Sequence, residues 1–97
     1  MTDQKVAVVT AAAGAGIGAA ITRRLATDGF DVVVTDAHER RCKQFAETLA
    51  AEHGREFLAI PLDVTDEAVI ADAIETVVAQ RGRVDVLVNN AGWSKIE

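Results

Sequence analysis

Ninety-seven residues are enough for one domain and too few for two. The formal charge of −5 at pH 7, without any Lys/Arg stripe interleaved with aromatics, argues against nucleic acid or an anionic membrane as the main partner. The lone Cys42 excludes an intramolecular disulfide and argues against a Cys-based metal site; no apolar run approaches the roughly 18 residues of a membrane helix, so a soluble cytoplasmic protein is expected.

Four β-branched runs alternate with three segments of helical period. The first strand is expected over about Lys5 to Thr10, and a Gly-rich stretch, Ala11-Ala12-Ala13-Gly14-Ala15-Gly16-Ile17-Gly18, follows directly. Ile17, Ala20, Ile21 and Leu25 then mark one apolar helix face. The second strand runs from Asp31 to Thr35, with Asp36 at its C-terminal end; the second helix carries Cys42, Phe45, Ala46, Leu49 and Ala50 at spacings of three and four. A third strand near Glu56 to Leu62 leads to Asp63-Val64, and Thr65 with Asp66 and Glu67 reads as a helix start. Val69, Ile70, Ala73, Ile74, Val77 and Val78 give the third helix its apolar positions, and the fourth strand runs near Val84 to Val88 before Asn89-Asn90-Ala91-Gly92. Gly29, Gly54 and Gly82 each follow a helical segment, where a left-handed residue is favoured.

Strands that alternate with helices must be parallel, because each crossover returns the chain to the same end of the sheet. With right-handed crossovers and strand order 3-2-1-4, the first two helices cover one face and the third lies on the other. One helix cannot cover a four-stranded face. The fourth strand is then a bare apolar edge, a surface that further elements of a doubly wound domain would cover and that by itself favours self-association.

The Gly stretch suits a pyrophosphate: glycines permit the tight turn and let backbone N–H groups approach the anion at a helix start. Asp36 stands 18 positions beyond Gly18, where a carboxylate can accept from both hydroxyls of an adenosine ribose and repel a 2′-phosphate. That points to NAD over NADP, although Arg40 and Arg41 lie close by. Asn89 to Gly92 fall at a strand end beside the Gly stretch, at the point where strand order reverses. His38 and His53 read as surface residues flanking the second helix, and Cys42 as a small buried hydrophobe.

Together the Gly stretch and Asn-Asn-Ala-Gly resemble the short-chain dehydrogenase/reductase family over nearly the whole chain. The resemblance implies an α/β fold, a partial Rossmann fold with a parallel four-stranded sheet and three helices, residues 1–97 forming the N-terminal half of a dinucleotide-binding domain. The family pattern of Thr-Gly, three residues and Gly-Ile-Gly maps Thr10, Gly16, Ile17 and Gly18 onto cofactor binding. Ala11 or Ala12 stands where the first Gly belongs, and Gly14 makes the loop one residue longer, so Ala12 and Gly14 join the expected contacts. In similar members the Asp-Val pair, here Asp63 and Val64, contacts adenine; helix capping by Asp63 is an equal alternative. Asn90, Ala91 and Gly92 would line the cofactor cleft. The tail Trp93-Ser94-Lys95 is similar to members acting on hydroxyacyl or oxoacyl thioesters. The family's proton-transferring Tyr and its Lys lie downstream of Asn-Asn-Ala-Gly, and this chain contains no Tyr. No catalytic residue is therefore assigned, the chain alone is expected to be inactive, and a small-molecule substrate is expected only for a longer parent chain. The alternative is a noncatalytic NAD-binding or interaction half-domain. A Rossmann-like methyltransferase would carry an acid just before the loop, where Val9 and Thr10 stand.

Overall fold

In a computed structural model, residues 4–10, 16–62 and 67–88 are described. They form β1 (Val6–Val9), α1 (Ile17–Thr27), β2 (Asp31–Asp36), α2 (Glu39–His53), β3 (Ala59–Pro61), α3 (Glu67–Arg81) and β4 (Val86–Val88). The four strands make one parallel sheet in the expected order, β3-β2-β1-β4. Val9 sits opposite both Val34 and Val88, so the three adjacent strands β2, β1 and β4 are level at the carboxyl end of β1.

β1 and β2 are buried on both faces because alternate residues serve two cores. Val9, Val32 and Val34 pack beneath α1 and α2 with Ala19, Ala26, Cys42, Phe45 and Leu49. Val6, Val8 and Val33 pack on the opposite side against Val77 of α3. The division of helices between faces follows from the crossovers, as expected. Among the described residues, Leu87 of β4 and Val78 of α3 are left 51% and 45% exposed. One helix does not span the face.

α2 turns inward the side its sequence predicts, with Cys42, Phe45, Ala46 and Leu49 buried. α1 does not. Its buried residues are Gly18, Ala19, Thr22 and Ala26, while Ile17 is 68% exposed and Leu25 only partly buried. The physical reason is close approach: small residues let the helix lie near the sheet, and the larger Leu25 is left at the margin of the contact. Thr22 tolerates burial because its hydroxyl donates to Gly18 O at 2.8 Å.

The outer strands are shorter than the apolar runs that contain them. β3 pairs only with β2, and its hydrogen bonding reaches one residue past each end, from Val34 N to Leu58 O and from Leu62 N to Asp36 O. Pro61 brings no N–H to this edge, which limits further pairing. β4 begins after Asp85, whose carboxylate accepts from Val6 N at 2.8 Å and pairs in a fork with Arg83. Those two donors hold the Asp85 carboxyl below its usual range, the Arg83 hydrogen bond contributing most.

Gly29, Gly54 and Gly82 all have positive φ, at 97°, 69° and 87°. Gly54 shows why: it closes α2 in the left-handed region while its N–H reaches Ala50 O at 2.8 Å, a conformation that strains a residue bearing a Cβ. Two arginines then tie the helix ends to the sheet. Arg55 donates to both Ala26 O and Phe30 O, its guanidinium 4.6 Å from the Phe57 ring centre. Arg81 Nε lies 2.7 Å from Asp31 Oδ2, an ion pair whose buried N–H points off the hydrogen-bonding line. No helix among the described residues is long and apolar enough to cross a membrane.

Candidate functional site

The carboxyl ends of β1, β2 and β4 and the starts of α1 and α2 meet along one rim of the sheet. β1 ends at Thr10, which is buried; its N–H and hydroxyl both donate to Val88 O, at 3.0 and 3.3 Å. Thr10 thus staples β1 to β4 at the point where strand order reverses. On the other side, the buried Thr35 hydroxyl donates to Val9 O at 2.9 Å. These two threonines brace the strand end from which the Gly stretch departs.

The two helix starts differ. α2 is closed by its own sequence: His38 Nδ1 accepts from Arg41 N at 3.2 Å, and Glu39 places an acid in the first turn. α1 has Gly16 at its N-cap, φ 106°, with no side-chain cap and no acid in its first turn. A Cβ on Gly16 would meet nothing within 4 Å, so glycine is required there by its φ and not by crowding. Gly18 is buried against the sheet. A helix start left without its own counter-charge suits an anion.

Asp36 closes β2. Only 3% exposed, it accepts at Oδ1 from His38 N and from the Arg41 guanidinium, both at 3.0 Å. The carboxylate is therefore oriented before any ligand arrives. These features fit a dinucleotide: an acceptor at the end of the second strand and an uncapped helix after the first.

Neither histidine takes part in chemistry at this rim. His38 is the α2 cap, and His53 lies edge-on to Phe57, 5.7 Å between ring centres. Cys42 is buried with its thiol directed to Val34 O at 3.3 Å. Burial, with the Asp36 charge second, pushes its pKa up to about 11, so it is no nucleophile near neutrality.

Among the predicted site residues, Thr10, Gly16, Ile17, Gly18 and Asp36 are thus placed at one rim. Ala12, Gly14, Asp63, Val64, Asn90, Ala91 and Gly92 lie outside the described residues, as does the Thr65 helix start. Sequence reasoning missed the bracing role of Thr35 and the cap made by His38. A polar residue three positions before the first-turn N–H it caps was the available signal. A groove of about 440 Å³ lies elsewhere, at the opposite end of the sheet, where Phe57, Leu58, Gln80 and Arg81 help line it. It gathers no convergent chemistry, and the strand-end rim is the better site on chemical grounds.

Comparison with known proteins gives this rim its class. The profile described as short chain dehydrogenase matches residues 5–97, and the chain belongs to that family, whose members bind NAD(P). The (5R,7aS)-5-hydroxy-7a-methyl-1-oxo-2,3,5,6,7,7a-hexahydro-1H-indene-carboxyl-CoA reductase of Mycobacterium tuberculosis is 48% identical over 92 residues, which are 95% of this chain and 35% of that protein. A short chain dehydrogenase from Mycobacterium smegmatis superimposes with a TM-score of 0.82 at 44% identity, over 90% of this chain and 36% of the other. L-sorbose reductase from Gluconobacter frateurii, solved with NADPH and L-sorbose, gives 0.82 at 33% identity, over 92% and 34%. The chain spans about a third of the length of these relatives, corresponding to their N-terminal part.

Proposed function

We propose that residues 1–97 are the N-terminal half of a dinucleotide-binding domain and hold the adenosine and pyrophosphate portion of NAD, in an oxidoreductase acting on a secondary alcohol or ketone. The observation that carries this reading is the buried Asp36 carboxylate, oriented at the end of β2 by His38 N. In this reading Asp36 accepts from the ribose hydroxyls, which favours NAD over NADP. The pyrophosphate lies against the α1 start, contacted by Thr10, Ala12, Gly14, Gly16, Ile17 and Gly18. Asp63 and Val64 contact adenine, and Asn90, Ala91 and Gly92 line the cleft. The bound dinucleotide supplies hydride transfer; this chain's residues bind and orient it.

Reduction of a carbonyl also requires a positioned acid for the oxygen. With no Tyr in its 97 residues, the chain does not offer the family's phenol, and we assign it no turnover alone. An oxoacyl or hydroxyacyl thioester is the preferred substrate class for a longer parent, supported by the CoA reductase named above and by the Asn-Asn-Ala-Gly-Trp tail. Binding of NADH and NADPH to the chain and to Asp36→Ala tests the cofactor reading. Loss of a charged acceptor should weaken NADH about tenfold or more and NADPH less. Equal losses would show that Asp36 does not read the ribose.

A second reading, a half-domain that associates through β4, draws on the exposure of Leu87. Sedimentation across a concentration series separates the two.

A further inference from the structure

We propose that the outer edge of β3 is an interaction surface for an extended segment of another protein that carries a Lys or Arg side chain. The segment adds to the sheet as a strand beside Phe57, Leu58 and Ala59, and its cation pairs with Glu47 or Glu56. This surface lies away from the cofactor rim, and its role stands apart from the dinucleotide reading.

The backbone sets where a strand can be added. Val34 N donates to Leu58 O and Leu62 N donates to Asp36 O, so Leu58 and Leu62 turn their peptide groups toward β2. Successive residues of a strand face opposite ways in the ladder, which turns the N–H and C=O of Phe57 and Ala59 outward. Pro61, the next outward residue, has no N–H, so an added strand finds its donors only at the amino-terminal part of β3. The groove of about 440 Å³ lies there. Glu47 of α2 lines it from one face of the sheet and Gln80 and Arg81 of α3 from the other, with Phe57, Leu58 and Ala59 between them. A groove that straddles a sheet edge fits a strand, whose side chains alternate between the two faces. In the order β3-β2-β1-β4 this edge is outermost, and elements that cover β4 leave it open.

Charge selects the occupant. Arg81 is committed to Asp31 at 2.7 Å, and Arg55, next to Glu56 in the chain, donates to Ala26 O and Phe30 O. Glu47 and Glu56 both line the groove and both are exposed. Among the described residues, neither forms a salt bridge. The groove therefore offers two uncompensated carboxylates to an entering chain, and a cationic side chain is attracted, most strongly at low salt. A second copy of this chain, related by a two-fold axis, would bring the same carboxylates against each other. Like-charge repulsion thus disfavours self-pairing at this edge, and it refuses an acidic segment on the same ground. Main-chain hydrogen bonds supply affinity, and the two carboxylates supply selectivity.

The probe is the synthetic peptide Lys-Val-Lys-Val-Lys-Val. Its controls are Glu-Val-Glu-Val-Glu-Val and a copy of the basic peptide N-methylated at every peptide bond. Titration of the basic peptide into the full chain, followed by amide NMR, should shift the Phe57, Leu58 and Ala59 resonances and slow exchange of the Ala59 N–H with solvent. Both controls should bind about tenfold more weakly or worse. Glu47→Gln combined with Glu56→Gln should weaken the basic peptide by about tenfold and leave the urea midpoint unchanged, because both side chains are exposed and form no salt bridge to a described residue. Ala59→Pro removes the outward N–H while sparing the bonds to β2, and should weaken the peptide about fivefold or more. Should that variant fail to fold, the N-methylated peptide removes the donors from the other side of the same contact. No binding of the basic peptide, equal affinity for the acidic one, unchanged affinity in the double carboxylate variant, or unaltered exchange at Ala59 would each overturn the proposal. Dimerisation of the chain that Ala59→Pro abolishes would place a second copy at this edge and overturn it equally.

Discussion

The face of the sheet beneath α1 and α2 and the face beneath α3 use alternate residues of the same strands, yet they are built to different depths. Among the described residues, the first gathers ten buried residues, Phe45, Leu49 and Phe57 among them, and the second Val6, Val8, Val33 and Val77. β4 shows the contrast within three residues. Val88 packs toward the α1 side, while Leu87, opposite Val8 and therefore on the α3 side, is half exposed. An apolar strand is ready to be buried on both faces; how many helices reach each face decides whether it is. The edges differ too, β3 being limited by Pro61 and β4 presenting Leu87.

Substitutions can break or sharpen this contrast. Leu49→Ala, in the deep core, should cost about 3 kcal/mol in urea unfolding, from lost transfer energy and the cavity left behind. Val77→Ala, at the centre of the α3 contact, should cost about 2 kcal/mol, since fewer methyl groups are removed from water. A Val77 penalty equal to that of Leu49 would mean the two faces are equally consolidated.

Cys42 adds a pH dependence to the deep face alone. Its folded pKa, about 11, lies above that of a free thiol, so the stabilisation is complete below the unfolded value near 8.5 and is lost as pH rises toward 11. Urea midpoints measured from pH 7 to 10 should fall for the wild type and stay flatter for Cys42→Ala. Parallel curves would show that the thiol is not shielded. The smallest effect is expected at Leu87→Thr, within about 0.5 kcal/mol of the wild type, because little surface is withdrawn from water there. A loss above 1 kcal/mol, on the same urea measurement, would mean that Leu87 is covered in solution.

Much of this architecture was legible from local signals. The α2 face was readable because Cys42, Phe45, Ala46 and Leu49 recur at helical spacing, and each residue is large enough or apolar enough to declare its side. At α1 helical spacing of apolar residues points to Ile17 and Ala20, yet both are exposed. Helix and sheet there approach so closely that Gly18, Ala19 and Ala26 occupy the contact instead. The candidate site divides along the same line. Asp36 could be found by its distance from the Gly stretch, whereas its pairing with Arg41 depends on where α2 begins, and Thr10 reaching Val88 joins residues 78 positions apart.

By itself, then, the sequence determined the order of elements, the parallel sheet, the positions that need positive φ and the rim where the chemistry-bearing residues gather. All of these follow from periodicity, crossover handedness and backbone sterics, which act over a few residues or through topology alone. Tertiary structure decided the phase of α1, the unequal depth of the two faces and the partner of the buried carboxylate. Those depend on distances between segments far apart in the chain, and burial turns such distances into energy: a carboxylate withdrawn from water must find its counter-charge, and a helix on a flat sheet settles where its smallest residues let it come nearest.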